Sequence, residues 1–138
     1  MTVTRQISIL SEGNFSTTVI TDMVREAVKS SGVMEGAARV YYKHTTGSVL
    51  VLEYETGILV DLEDMLEKLA PAAGDYVHHV RRYDANGAAH LCSALLGVSL
   101  SVPIVNGDLG LGYFQEIVVL DMDPVRKERT IIIQVDGD

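Results

Sequence analysis

The chain has 138 residues, a net charge of −8 and a hydrophobic fraction of 47%. This length favours a single domain over residues 1–138, large enough to enclose a hydrophobic core. The acidic balance argues against nucleic acid as a partner, because the phosphates would be repelled. No apolar run approaches the roughly 20 residues of a membrane-spanning helix and no secretory signal is visible, so a cytoplasmic protein is expected.

The hydrophobic pattern predicts strands and helices that do not alternate regularly. Strands are predicted where β-branched, aromatic and other apolar residues cluster or alternate, at residues 2–10, 37–43, 46–54, 98–105, 111–120 and 130–135. Helices are predicted where apolar residues recur at helical spacing, at residues 22–31, 58–69 and 87–96. This order favours an α+β fold with a mainly antiparallel, sandwich-like sheet and about three helices.

Local signals mark where these elements begin and end. Thr21 is the expected cap of the first helix, and Gly32 ends it. Pro71 stops the second helix and Gly97 closes the third. The dipeptide at residues 106–107, Asn-Gly, predicts a tight turn between two strands.

Three imidazoles are the strongest chemical signal in the chain. His44 ends a predicted strand, His90 begins a helical run, and an adjacent pair, His78 and His79, lies between them. With Cys92 as its one cysteine, the chain cannot build a thiolate zinc site, and Cys92 itself is expected to be a buried, reduced thiol. Three histidines suffice for a zinc site that keeps a position open for water or substrate. The residues alone leave open which member of the pair would join.

Polar residues near the expected strand ends are further candidates. Arg126 and Arg129 could clamp a phosphate, because guanidinium groups match phosphate oxygens in a bidentate fork, although a solvated connection between strands is an equal reading. Asn86 begins a helix whose free amide groups would lie beside His90 and attract an anion. Gln115 is a candidate for the same pocket.

Three further residues have both a functional and an ordinary interpretation. Thr46 offers a hydroxyl close to His44, but threonine is also common in strands. Glu53 and Glu55 close an apolar strand, where a solvated strand end is the ordinary reading. Because side chains alternate along a strand, His44 and Glu53 would face opposite ways, unless a bulge intervenes or the glutamate serves a neighbouring subunit.

Taken together, the residues resemble the YjbQ-like family of small proteins, some of which are described as secondary thiamine-phosphate synthases. The resemblance covers nearly the whole chain and rests on the order and spacing of short motifs. The motifs are Thr21-Asp22, Ser31-Gly32-Val33 with Gly36, His44-Thr45-Thr46, Glu53, Asp61-Leu62, Leu69-Ala70-Pro71, Tyr76 with His78, Asn86 with Ala89-His90-Leu91, Leu95-Leu96-Gly97, Val102-Pro103, Leu111-Gly112 with Gln115, and Arg126 with Arg129.

The resemblance implies a sandwich-like fold that assembles as a homotrimer. It also implies a metal site of His44, His78 and His90, with the Tyr-x-His pattern selecting His78. Zn²⁺ is the expected divalent ion for three imidazoles. Glu53 and Asp61 are the candidate catalytic carboxylates, and with Asp84 they are candidates to orient the histidines.

The implied function is a metal-dependent reaction on a small phosphorylated molecule. One form is thiamine-phosphate synthase-like transfer between a pyrimidine diphosphate and a thiazole phosphate. In that form the metal, Arg126 and Arg129 would stabilise the departing pyrophosphate. Metal-assisted hydrolysis is an equally sensible form. The alternative is a non-catalytic trimer that binds a metal or a phosphorylated ligand. The predicted substrate-binding residues are Thr46, Asn86, Gln115, Arg126 and Arg129.

Overall fold

The computed structural model describes residues 1–82 and 85–138. This part of the chain forms eight strands and four helices. In chain order they are β1 (Thr2–Ser11), β2 (Ser16–Val19), α1 (Thr21–Ser31), β3 (Gly36–Tyr42), β4 (Gly47–Glu53), α2 (Thr56–Leu69), α3 (Val77–Arg82), α4 (Gly87–Leu96), β5 (Ser99–Val105), β6 (Asp108–Leu109), β7 (Gln115–Asp121) and β8 (Lys127–Gly137).

The strands form two antiparallel sheets. One has five strands in the order β1-β8-β3-β5-β6, and the other has three in the order β2-β7-β4. Every strand pair in the described part of the chain runs antiparallel. The predicted α+β fold with a mainly antiparallel, sandwich-like sheet is therefore confirmed, with four helices where about three were expected.

The main core lies between the two sheets and includes one face of α1. Alternate residues of β3 and β8, such as Val40 and Ile133, meet Ile117 and Val119 of β7 in this layer. Helix α1 adds Val24 and its apolar neighbours at helical spacing. The alternating apolar residues of the strands and the helically spaced apolar residues of α1 thus share one core, as the sequence pattern predicts.

A second apolar layer covers the outer face of the three-stranded sheet. Leu66 of α2 and Cys92 of α4 pack there against Leu120 of β7. Because β7 is covered on both faces, its apolar residues 117–120 are all buried, which explains a continuous apolar run where an alternating one is usual. Cys92 is buried and free as expected, and burial, followed by the charge of Glu67, raises the pKa of its thiol.

Several predicted boundaries are wrong for identifiable reasons. Thr21 does not cap α1: it is the first helical residue, and its hydroxyl donates to the Glu116 carboxylate and accepts the Ile117 N–H at 2.9 Å. The strand predicted from residue 111 begins only at Gln115, since a turn returns the Gln115 N–H to the Gly112 carbonyl at 3.0 Å.

The predicted turn at residues 106–107 is confirmed. Asn106 and Gly107 have φ values of 51° and 78°, which are the two positive values that a type I′ hairpin turn requires. The turn joins β5 to β6, with Ile104 opposite Leu109. Gly107 is thus a hairpin residue, in agreement with the sequence reading. Among the described residues no helix combines the length and the apolar character needed to cross a bilayer.

Candidate functional site

His90 is the fourth residue of α4, at the end of its first turn, and its ring is held by the chain that follows β3. Its Nδ1 lies 2.9 Å from the Thr45 carbonyl oxygen. Because a carbonyl oxygen only accepts, Nδ1 carries the proton, and Nε2 keeps its lone pair in the neutral ring. This is the arrangement that a metal-binding histidine needs, with one nitrogen fixed by a backbone acceptor and the other available.

His78 lies on α3 and contacts His90 directly. The two ring centroids are 4.7 Å apart and the rings are inclined at 76°. His78 Nε2 lies 3.1 Å from Oδ1 of Asn86, the residue that precedes α4. Three residues singled out from the sequence, His78, Asn86 and His90, are therefore brought together at the start of α4.

His79 has a different partner, which distinguishes it from His78. Its Nε2 accepts the N–H of Gly87, the first residue of α4, at 2.9 Å. Its ring also packs edge-on against Tyr76, with centroids 5.1 Å apart. Since an accepting Nε2 satisfies one of the open N–H groups of the helix, His79 has a structural role at the helix start. This geometry supports His78 as the member of the pair that belongs to the site.

His44 follows β3 and is held on the other side of the same region. Its Nε2 accepts the Thr130 N–H at 2.8 Å, so the proton of the neutral ring is on Nδ1. Burial, followed by the charge of Arg129, lowers the pKa of His44 below its usual range. His44 is therefore a neutral imidazole with a defined tautomer at neutral pH.

His44 gives the protein a testable pH dependence in the absence of metal. The lowered pKa means that the unfolded chain takes up this proton first as pH falls below about 6.5. The free energy of unfolding should thus decline as the pH falls from about 6.5 to the pKa of His44 in the folded protein. The positive charges of Arg129, Lys43 and Lys127 oppose protonation of the folded ring, whereas the charge of Asp121 favours it. In His44→Gln, which keeps an acceptor for Thr130, we expect a smaller decline.

The measurement is urea unfolding of both proteins in EDTA at pH 7.5 and at pH 5.5. If the decline between the two pH values is the same for both proteins, His44 is not held neutral in the folded state.

His44 and His90 line one open cleft of about 620 Å³. We call it the His44–His90 cleft. Its other lining residues come from the end of β3 and from α4, and they are Tyr41, Tyr42, Lys43, Thr45, Ser93, Ala94, Gly97 and Val98. A cleft of this volume, mostly apolar with a few polar groups, is typical of small-molecule sites.

Arg129 anchors a buried ionic network beneath this cleft. Its Nε and Nη2 bind the two oxygens of Asp121 at 2.8 and 3.1 Å, and Nη2 also lies 3.2 Å from Asp123. Thr46 joins the network, because its hydroxyl donates to Asp123 at 3.1 Å and accepts from Arg129 at 3.2 Å. All four side chains are buried. Burial alone would raise the pKa of Asp123, but the hydrogen bonds from Val125 N–H and Arg129 hold it below its usual range.

The two arginines proposed as a phosphate clamp have unlike surroundings. The guanidinium of Arg129 is bound by two carboxylates, whereas Arg126 is exposed and pairs with the equally exposed Glu12 at 3.1 Å. Asp121 and Asp123, which the sequence reading missed, are therefore the partners that matter for Arg129. A role for Arg126, Arg129 or Thr46 in substrate binding stays a prediction. The structure shows that the buried ionic network with Asp121 and Asp123 holds Thr46 and Arg129 in place.

Tyr42 places an unpartnered hydroxyl beside that network. Within residues 1–82 and 85–138, its hydroxyl is the one fully buried side-chain polar atom that has no hydrogen-bond partner. Burial, followed by the charge of Asp121, raises the pKa of this phenol well above its usual range. The ring also packs edge-on against His44, with centroids 5.1 Å apart. Tyr42 thus links the floor of the cleft to the ionic network.

Glu53 and Gln115 lie at the opposite end of the three-stranded sheet. They are directly paired on β4 and β7, while Gly47 at the cleft end of β4 pairs with Asp121. Six residues of strand separate Glu53 from Gly47, about 20 Å. The side chain of Gln115 accepts the Gly112 N–H at 2.7 Å, so it stabilises a turn. Within one chain, then, neither residue joins the histidines.

The other carboxylates considered from the sequence are exposed, cap a helix or lie outside the described residues. Asp61 is exposed on α2. Asp84 lies outside the described residues. Glu55 has a clear structural role, since its carboxylate accepts the N–H groups of Gly57 and Ile58 and caps α2. That contact replaces the solvated strand end expected from the sequence.

The three predicted metal ligands do not all fit an ion in this arrangement. In the described part of the chain, no three His, Cys, Asp or Glu side chains are placed to hold a metal ion together. Nε2 of His90 keeps its lone pair available, and the His78 ring lies beside it. His44 is the obstacle, because a neutral ring that accepts the Thr130 N–H through Nε2 has its proton on Nδ1. Metal binding by His44 and the hydrogen bond from Thr130 are mutually exclusive.

Comparison with known proteins gives a consistent family match. Residues 5–138 match the family model described as UPF0047 protein YjbQ-like. A UPF0047 protein of Archaeoglobus fulgidus is 41% identical over 113 residues, which is 82% of this chain and 86% of that protein. A UPF0047 protein of Methanothermobacter thermautotrophicus is 37% identical over 110 residues, covering 80% of this chain and 76% of that one.

Solved structures show the same fold. A protein of unknown function from Sulfolobus solfataricus superposes with a TM-score of 0.94 and 26% identity, covering 100% of this chain and 99% of that one. A hypothetical protein from Aeropyrum pernix superposes with a TM-score of 0.90 and 31% identity, covering 99% of both chains.

Proposed function

The chain belongs to the YjbQ-like UPF0047 family, and on that premise we propose that it binds a divalent metal and acts on a small phosphorylated molecule. His78 and His90 would hold the ion, and His44 would complete the set once its hydrogen bond from Thr130 is released. The observation that carries the proposal is the hydrogen bond between His90 Nδ1 and the Thr45 carbonyl, which leaves Nε2 available beside His78.

Zn²⁺ is the best match for this donor set. Imidazole nitrogens suit first-row transition metals, and zinc accepts three protein ligands with one open position. When bound, the ion would stabilise negative charge on a phosphate oxygen.

The residues of the cleft support an anionic substrate of modest size. The cleft has a volume of about 620 Å³, and Lys43 lines it. The neighbouring helix α3 carries Arg81 and Arg82 on its exposed surface. Cations at the edge of a cleft in an acidic protein would attract phosphate groups and leave the apolar walls to bind the remainder of the molecule.

Two reactions fit such a substrate. In thiamine-phosphate synthase-like transfer, a thiazole phosphate would displace pyrophosphate from a pyrimidine diphosphate, forming one carbon–nitrogen bond and breaking one carbon–oxygen bond. In hydrolysis, water would attack the phosphorus of a phosphate ester, forming one phosphorus–oxygen bond and breaking the one to the alcohol, which would leave with a proton. Donors held in place before the reaction would stabilise the developing charge in both cases.

The second candidate is a non-catalytic homotrimer that holds a metal or a phosphorylated ligand. The observation that favours association is the exposure of large apolar side chains, which reaches 95% for Tyr113, 76% for Val77 and 74% for Val80. Apolar groups exposed to this degree often mark subunit interfaces. An assembly of this kind is compatible with either candidate.

His90→Ala is expected to remove the metal, whereas His79→Ala is expected to retain it. His79 is a matched control, because it is also a histidine of α3 but serves the start of α4. Elemental mass spectrometry of untagged protein should find about one zinc per chain in the unchanged protein and in His79→Ala, and at least about tenfold less in His90→Ala.

Two outcomes would contradict the metal proposal. One is an unchanged protein that takes up no zinc after dialysis against it, and the other is equal zinc in His79→Ala and His90→Ala. Zinc lost from His90→Ala, with no turnover of a pyrimidine diphosphate plus a thiazole phosphate and no phosphate release, would favour the non-catalytic candidate.

A further inference from the structure

We propose that the protein binds a small aromatic amine, as its ammonium ion, in a cavity between α2 and α4. The cavity has a volume of about 220 Å³, and none of the described residues lines both it and the His44–His90 cleft. We call it the α2–α4 cavity. The site does not depend on the proposed function, because no histidine of the described chain lines it. The lining residues that carry the argument are Phe15, Glu63, Glu67, Ala88, Cys92 and Met122.

Small side chains keep the α2–α4 cavity open. Four alanines line it: Ala70 and Ala72, which come just after α2, and Ala88 and Ala89, in the first turn of α4. They leave a gap in the second apolar layer, the one in which Leu66 is buried. An apolar cavity of about 150 Å³ holds one benzene ring. The volume here therefore suits an aromatic ring with a short side arm.

Phe15 forms one wall and is held in an unusual backbone conformation. Its φ of 65° follows a φ of 52° at Asn14, and a positive φ is rare for a bulky residue. Such a conformation persists only where the surrounding structure holds it. Here the Asn14 N–H donates to the Asp123 carbonyl at 2.7 Å. The aromatic wall is thus in place before a ligand arrives, which lowers the entropic cost of binding.

The remaining walls favour an aromatic body for the ligand. A second ring would pack edge-on or offset against the ring of Phe15. Cys92 and Met122 line the same cavity, and sulfur atoms make favourable contacts with aromatic rings. Burial, followed by the charge of Glu67, raises the pKa of the Cys92 thiol, so this thiol is a packing group and not a nucleophile.

Two carboxylates make the mouth of the cavity negative. Glu63 and Glu67 are one helical turn apart on α2, so both lie on the face that lines the cavity. The Ala72 N–H lies 3.1 and 3.2 Å from the two oxygens of Glu67 and holds that carboxylate in place. Within the described part of the chain, neither glutamate forms an ion pair, and no lysine or arginine lines the cavity.

This charge selects the other end of the ligand. An ammonium group at the mouth would lie beside two carboxylates and donate hydrogen bonds to them, whereas an anionic group would be repelled. The face of Phe15 would attract the same cation. The His44–His90 cleft is lined by Lys43 and has the opposite preference. Helix α4 therefore separates two sites that accept ligands of opposite charge.

The test is a titration with three ligands of similar size and different charge: 2-phenylethylammonium, 2-phenylethanol and phenylacetate. Each is added to the protein in EDTA at pH 7.5. Binding is followed by the amide chemical shifts of Glu63, Leu66 and Glu67 on α2, which line the α2–α4 cavity and not the His44–His90 cleft.

We expect 2-phenylethylammonium to shift these amides with a Kd of about 1 mM or below. 2-Phenylethanol should bind at least about threefold more weakly, and phenylacetate at least about tenfold more weakly. If the ammonium compound shifts none of these amides, or if phenylacetate binds as tightly, the proposal is wrong.

Two variants locate the ligand. Ala88→Leu fills part of the cavity and should weaken binding of 2-phenylethylammonium at least about tenfold. Ala85→Leu is the matched control, because Ala85 is exposed and does not line the cavity. Equal affinities for the two variants would place the ligand elsewhere and overturn the proposal.

Replacing both glutamates tests the charge without changing the cavity. Glu63 and Glu67 are exposed, and a glutamine at position 67 still offers an oxygen to the Ala72 N–H, so the fold is retained. In Glu63→Gln with Glu67→Gln, the preference for 2-phenylethylammonium over 2-phenylethanol should fall below about twofold. An unchanged preference would contradict the assignment of an ammonium group to this mouth.

Discussion

Replacing Arg129 by leucine is expected to lower the free energy of unfolding by about 3–5 kcal/mol. Arg129 is 4% exposed, and the substitution would leave Asp121 and Asp123 as buried carboxylates without their cation. Thr46 would lose its donor as well. The measurement is urea unfolding at a fixed chain concentration, because association would otherwise change the apparent stability.

Arg126→Leu is the matched control. Arg126 lies three residues earlier in the same basic segment, but its side chain is 61% exposed and its partner Glu12 is 70% exposed. An exposed pair of this kind contributes at most about 1 kcal/mol, so the control should unfold close to the unchanged protein. Equal losses for the two variants would show that the buried network does not stabilise the fold as the structure indicates.

The same network connects stability to the candidate site. Arg129 precedes Thr130 on β8, and the Thr130 N–H holds Nε2 of His44. The charge of Arg129 is also one of the causes of the lowered pKa of His44. Arg129 therefore acts on the cleft through another residue: it positions the strand that fixes the His44 tautomer and helps to keep the ring neutral.

The sequence predicted the core elements well because their signals are local. The apolar residues of β3, β8 and α1 recur at strand or helix periods, and those periods determine which face is buried. Three short elements, β2, α3 and β6, were missed, and β6 has only two residues. β2 has four residues and pairs only with β7, and α3 has no buried residue, so none of the three leaves a periodic pattern long enough to detect.

The candidate site was predictable in part. The residue types pointed to His44, His90 and one of the pair His78 and His79, and the family resemblance selected His78. The structure places His78 beside His90 and puts His44 on the same cleft. The tautomer of His44 was not predictable, because it depends on the backbone N–H of Thr130, 86 residues later in the chain.

The buried ion pairs of Arg129 were not predicted, and the reason is local. It follows Arg126 and Lys127, and a basic run reads as a solvated surface or an anion site. The informative signal was the pair Asp121 and Asp123 at the end of a continuously apolar strand. Carboxylates that follow directly from a buried strand remain partly buried and need a cation, so they indicate an internal ion pair more strongly than an exposed clamp.

Gly47→Ala is expected to lower the free energy of unfolding by about 3 kcal/mol, because the added methyl group has no room. A Cβ at Gly47 would lie 2.6 Å from the Leu120 carbonyl oxygen and 2.7 Å from the Tyr42 hydroxyl oxygen. The first contact is with the backbone of the paired strand, which cannot move without breaking the β4–β7 register. Thermal and urea unfolding would measure the loss.

Gly57→Ala separates crowding from the general effect of replacing a glycine. A Cβ there would approach only the Glu55 carboxylate, which can move, and alanine favours a helix by up to about 1 kcal/mol, so this variant should be nearly neutral. The double variant Gly47→Ala, Tyr42→Phe should lose at least about 0.5 kcal/mol less unfolding free energy than the sum of the two single variants. The second substitution removes one of the colliding atoms and an unpartnered buried hydroxyl. If the losses of the two single variants simply add, the Tyr42 hydroxyl does not collide with the methyl group added at Gly47. A recovery would place the floor of the His44–His90 cleft in contact with the first residue of β4, so that the cleft and the sheet are stabilised together.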